Sequence, residues 1–217
     1  MAEEVKAKVS FLGSKLASAK ALFASLMAQV DKSVVEAIRD ARIQVVDYAL
    51  YVVRNLKADT TIELLQSSDS KEVGITNLND RKLDVNNYVL ITGIQLLEAA
   101  FEKAASSVTT DDLKKAEFGQ ISALVANGEL DIKMNDKVML PRISCEVFRR
   151  GANSSANGNL VGYMPWECPK MIQPLTEIVP TLWLPISSEQ STTSGGTTTT
   201  TSKAVKFVLH GIKTNKN

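Results

Sequence analysis

The chain has 217 residues, 44% of them hydrophobic and 23% charged, with a net charge of +1, a balance that excludes a disordered chain and allows a sizeable core. Its two cysteines, Cys145 and Cys168, form no CxxC pair and His210 is the single histidine, so a structural zinc site and a multi-histidine metal centre are excluded. Charge is uneven: nine basic and six acidic residues up to Lys57, seven and thirteen from Ala58 to Asn135, nine and five thereafter. No Lys/Arg tract is dense enough to neutralise many phosphates, so direct nucleic-acid binding is not expected. The opening MAEEVKAK is acidic as well as basic and lacks the apolar run of a secretory signal or membrane span.

From Glu3 to about Asp40 the chain is rich in Ala, Lys, Leu and Ser and has no proline, which predicts a helical arm over 1–41. Val5, Val9, Leu12, Leu16, Ala19, Phe23, Leu26 and Val30 repeat at spacings of four and three and make one apolar stripe of coiled-coil type. Such a stripe needs a partner: the chain's own body, another subunit or a lipid surface. Lys6, Lys8, Lys15 and Lys20 beside the stripe would suit membrane contact, which Glu3 and Glu4 oppose.

Beyond Arg42 short β-branched and aromatic runs alternate with Asn, Asp, Gly and Pro clusters, the texture of an antiparallel β-sandwich. The expected strands are Ile43–Arg54, Thr60–Gln66, Val73–Asn77, Tyr88–Leu96, Glu129–Met134, Lys137–Phe148, Glu177–Trp183 and Ala204–Lys213. The first of them could equally extend the helix. Leu130, Ile132 and Met134 alternate with charges, and Asn135-Asp136 supplies a two-residue turn into the next strand. Leu97 to Ala126 reads as a helical insertion, with Thr110 as N-cap before Asp111 and Asp112. GANSSANG at 151–158 and SSEQSTTSGGTTTTTS at 187–202 read as exposed, mobile loops, the second a hairpin tip within the 42–217 body.

Candidate chemistry is sparse. Asp111 and Asp112 are adjacent on a helix and point apart, so helix N-terminal charge suits them better than a shared metal or proton. His210 lies on an alternating strand, sharing a face with Lys206, Val208 and Ile212, with no nucleophile setting beside it. The glycines form no phosphate-binding loop, and no cofactor is expected. Asn153-Ser154-Ser155 matches a glycosylation acceptor only as a short coincidence. Tyr163, Trp166 and Trp183 lie in a proline-rich stretch and are candidates for either core packing or an interface anchor.

Four stretches carry a family resemblance: Thr76-Asn77-Leu78, Asn86 to Ile94 (NNYVLITGI), Ala126 to Lys133 (ANGELDIK) and Val205 to Ile212 (VKFVLHGI). With the helical arm and the Thr/Ser tip, the chain resembles bacteriophage structural proteins of capsid type with a single jelly-roll fold. The resemblance implies a non-enzymatic virion subunit, made in the host cytoplasm. It implies assembly in many copies with itself and other virion proteins, through the stripe Val5, Val9, Leu12, Leu16, Phe23, Leu26 and Val30 and the anchors Tyr163, Trp166 and Trp183. The chain lacks the Arg-rich arm of many small icosahedral coats. The alternative from the residues is a β-sandwich binding module for carbohydrate or peptide, oligomerised by its N-terminal helix.

Overall fold

Leu130 and Ile132 face the core between exposed Glu129 and Lys133, as the sequence alternation requires, while Asp131 between them is buried on the opposite face, in a protein that is mainly β. The computed structural model describes residues 30–85, 87–150, 160–194 and 197–216, with 24, 27 and 28. They belong to two units, 1–46 with 214–217, and 47–213.

In the first unit, Lys32–Arg39 forms α1 with Ala37 buried. Ala41 turns left-handed (φ 57°), Arg42 N–H reaches Ala37 C=O at 2.8 Å and Ala41 N–H reaches Ile38 C=O at 3.1 Å, a Schellman stop made without glycine. Val5, Val9, Leu12, Leu16, Phe23 and Leu26 lie outside the described residues; Val30 is half-buried just before α1. No helix among the described residues is long and apolar enough to cross a membrane.

The strands are β1 (Ile43–Asn55), β2 (Thr61–Glu63), β3 (Val89–Phe101), β4 (Glu129–Met134), β5 (Lys137–Ser144), β6 (Tyr163–Ile172), β7 (Ile178–Trp183), β8 (Gln190–Ser194) and β9 (Thr197–Lys216). One sheet runs β1-β9-β3-β6 with β8 attached to β9; the other runs β2-β7-β4-β5. The pairs nest: β4 with β5, β3 with β6, β2 with β7 and β1 with β9, each enclosing the one before and alternating between sheets. Side chains from both sheets meet in one core: Leu50, Ile94, Phe207 and Leu209 from the first, Leu130, Ile132, Ile178 and Leu182 from the second. Each such side chain contributes about 1.5–3 kcal/mol by leaving water.

Local chemistry explains the details. Asn135 and Asp136 have φ 44° and 64°, the paired positive values of a type I′ turn, and Met134 faces Lys137 across it. In β3 the core positions step from Ile91 to Ile94 because a bulge at Thr92 shifts the register against both neighbours.

Several expectations are corrected. Val73–Asn77 is not a strand: Gly74 (φ 86°) turns the chain, Val73 is exposed, and Asn77 uses its side-chain amide to pair with Ala49 C=O (2.7 Å) and Tyr51 N–H (2.9 Å) of β1. The helical insertion begins later than Leu97, because Leu97–Phe101 continue β3 opposite Lys206–Ser202 of β9. After Phe101 come a 3-10 turn (Ala105–Ser107), α2 (Thr110–Lys115) and α3 (Ala123–Ala126). Thr109, not Thr110, caps α2, in a capping box with Asp112. Lys137–Phe148 splits at Cys145 into β5 and a short helix, α4 (Glu146–Arg150). A strand that the sequence did not suggest, β6, occupies the proline-rich stretch. The 187–202 segment is the hairpin tip expected, but its described residues from Gln190 to Ser194 and from Thr197 on are paired strand, not loop. The 151–158 loop and Asn153 lie outside the described residues.

Candidate functional site

The three aromatic candidates come to rest in three different settings. Tyr163 opens β6 opposite Gln95 of β3, on the outer face of the larger sheet. Its ring lies over Gly93, where a Cβ would overlap the phenol, and stands edge-on to His210 of β9 (centroids 5.3 Å apart, planes at 86°). Gln95 donates its amide to Val161 C=O (2.7 Å), so its carbonyl oxygen accepts from His210 Nε2 at 3.0 Å. This assigns the Nε2–H tautomer to the neutral ring. Burial holds the His210 pKa below 6.5. The histidine expected to make a local hydrogen bond on a sheet does so.

Trp166 belongs to a different environment. Between Pro165, which faces Gly93, and Lys170, which faces Ile91, β6 makes an excursion opposite Thr92, and Trp166 begins it. The indole is half-buried against the core and its Nε1 is buried with no hydrogen-bond partner.

Trp183 ends β7 on the outer face of the other sheet. Its Nε1–H donates to Asp131 Oδ2 (3.1 Å), and the Arg142 guanidinium lies 3.7 Å from its ring centroid. Arg142 also approaches Asp131 (3.8 Å) and Glu129 (3.7 Å). A bulge sets this up: Leu130 faces Ile143 and Ile132 faces Leu140, so Pro141 and Arg142 together oppose Asp131. Proline, lacking an N–H, suits such a position on an edge strand. Tyr163, Trp166 and Trp183 thus share no common face. The partners Gly93, Gln95, Asp131 and Arg142 were not singled out from the sequence; Pro141 within a β-run was the available signal of a bulge.

The remaining charged and nucleophilic groups are placed structurally. Glu98 is buried, takes Lys203 Nζ at 2.5 Å and Ser122 N–H at 2.8 Å, and so ties β3, β9 and the start of α3 together. Asp111 is exposed, while Asp112 is held well below the usual carboxylate range by hydrogen bonds from Lys103 and then Thr109. Burial, with Glu129 nearby, pushes the Cys145 thiol up to about 12, which makes it inert at neutral pH. Cys168 is exposed. No group of three or more metal-ligating side chains occurs among the described residues.

No family model matches the chain, and no curated protein matches it. Among solved structures, it is similar to the acid-stable capsid of the Helicobacter pylori bacteriophage KHP30, at 8% identity and a TM-score of 0.30, over 81% of this chain and 99% of that one. It is also similar to the infectious bursal disease virus VP2 subviral particle, at 11% identity and a TM-score of 0.23, over 80% of this chain and 36% of that one. A third likeness is to dimeric latent PorU of Porphyromonas gingivalis, at 8% identity and a TM-score of 0.23, over 76% of this chain and 13% of that one. Likeness at this level concerns general chain path and assigns neither family nor function.

Proposed function

We propose that the chain is a non-enzymatic structural subunit of a phage particle, with a jelly-roll body that assembles in many copies. One observation carries the reading. With β8 left out, so that β9 counts as the eighth strand, the sheets run 1-8-3-6 and 2-7-4-5. This is the order produced by rolling up one long hairpin of four nested pairs, the two-Greek-key winding of jelly rolls. Three of the stretches that resemble phage structural proteins fall on interior strands of the two sheets: Tyr88–Ile94 runs into β3, Glu129–Lys133 lies in β4 and Val205–Ile212 lies in β9. In this reading the stripe from Val5 to Val30 docks on neighbouring subunits, and Tyr163 and Trp183 stiffen the outer faces that other virion proteins meet.

The test is the mass distribution of the purified full chain at low and high salt, with negative-stain images of the same samples. Shells, rings or a fixed symmetric oligomer are the expected result. Removing residues 1–30 is expected to leave a β-rich circular dichroism spectrum and to abolish the large species. A monomer at every condition would overturn the reading.

A further inference from the structure

Exposed strand edges template unwanted pairing unless blunted, and four edges of the two sheets are blunted here. β1 is covered by the 72–78 loop, through Ile75 C=O on Val53 N–H (2.7 Å) and the Asn77 amide. β2 is three residues long. β5 carries Pro141 at its bulge, and β6 carries Pro165 and Pro169. β8 has none of these devices. It pairs with β9 in unbroken register from Gln190↔Thr201 to Ser194↔Thr197, and the whole ribbon, QSTTS on one strand and TTTTTS on the other, holds no charge and no proline. The ribbon also stands clear of the body: β3 ends opposite Ser202, and the backbone bond from Leu56 to Lys203 marks the end of the β1 side. Five rungs beyond that point project about 17 Å.

We infer that β8 is a self-association edge, and that its occupant is β8 of a second copy, antiparallel and centred on Thr192. The two copies of this edge complement one another. A strand without charge meets its own copy with no repulsion, whereas other exposed edge segments of the chain present Lys137, Arg142 or Lys170. The side chains of Ser191 and Thr200, and of Thr193 and Thr198, meet closely enough for their hydroxyls to bond, as in the rungs of a ladder that carry no backbone bonds, so Ser191 and Thr193 turn their N–H and C=O groups to the open edge. Pairing centred on Thr192 joins Ser191 of one copy to Thr193 of the other through both of these backbone pairs. Within each ribbon, Ser191 already bonds Thr200 and Thr193 bonds Thr198 through their hydroxyls, each at 3.0 Å. The dimer extends these two hydroxyl rungs across four strands. The inference needs only that two copies meet, and it goes beyond the virion reading.

The test uses the full chain with Cys168→Ser as background. Thr192→Cys is expected to cross-link to a dimer under mild oxidant, because the two copies of position 192 form a non-hydrogen-bonded pair with close Cα atoms. Thr199→Cys, on the far strand and about 14 Å from its counterpart in the dimer, is expected not to. Equal cross-linking of both, or of neither, overturns the inference. Sedimentation then reads the register: Ser191→Lys with Thr193→Lys is expected to lose the ribbon dimer, and Ser191→Lys with Thr193→Glu to keep it. A lysine pair that leaves association and cross-linking at position 192 unchanged also overturns it. Unchanged melting of each variant checks that the body is intact. Cross-linking without particles would sink the virion reading alone; particles without cross-linking would sink the ribbon contact alone.

Discussion

A methyl group at position 93 would overlap the Tyr163 ring, which is why the strand carries glycine where β-branched residues would otherwise fit. Gly93→Ala is expected to cost about 1–3 kcal/mol, the usual range for overpacking. Adding Tyr163→Ala should recover part of that loss, and a double-mutant cycle in denaturant measures the coupling. Additive effects would show that the ring is not seated there. His210 is a second local determinant. Its folded pKa lies below the unfolded 6.5, so the unfolded chain binds the proton more readily. The ring's contribution is therefore complete above 6.5 and is lost as the pH falls towards the folded value. His210→Gln is expected to flatten the dependence of melting temperature on pH in that window, while the slope at lower pH, set by carboxylates such as Asp112, persists.

At the scale of elements, two junctions are open to measurement. Asp136 holds φ 64° at the second position of its turn, where glycine has no steric penalty. Asp136→Gly is expected to stabilise the β4–β5 hairpin by about 0.5–1 kcal/mol in chemical denaturation. The Glu98–Lys203 pair behaves in the opposite way. Lys203→Met leaves a buried carboxylate with only Ser122 N–H to satisfy it, and a loss of about 3–5 kcal/mol is expected. Replacing both residues, Glu98→Gln with Lys203→Met, should be milder than the single change. The elements that were legible in the sequence obey one rule each. β4 alternates strictly, the Asn135-Asp136 pair accepts positive φ, and β7 and β9 are dense in β-branched residues. The others are cases where neighbours override local preference. Leu97 to Phe101 has helix-forming composition but is held as strand by β9 alongside it. β6 is hidden by two prolines that only an irregular edge strand tolerates. Of the candidate site, Tyr163, Trp166 and Trp183 were visible as aromatics, but which sheet and which face each joins depends on pairings between residues far apart in the chain. Gly93 with Tyr163, and Arg142 with Trp183, are of this kind.

For the whole molecule, the governing feature is the nesting of strand pairs, with β9 lying between β1 and β3. Most of its contacts join distant parts of the chain, so folding in milliseconds to seconds is expected in stopped-flow refolding, well behind helical proteins of this size. A microsecond phase that recovered the full signal would contradict that order of pairing. During synthesis the consequence is a delay. β1 and β3 emerge early but stay without their shared neighbour until β9 is made, an interval on the order of ten seconds at about 5–20 residues per second. The innermost pair, β4 with β5, can close within that time; the larger sheet cannot. The uncharged strand β8 is translated immediately before β9. A nascent chain therefore exposes its most self-adhesive edge only when the strand that completes its own sheet is about to emerge, so that timing on the ribosome separates folding from association between chains.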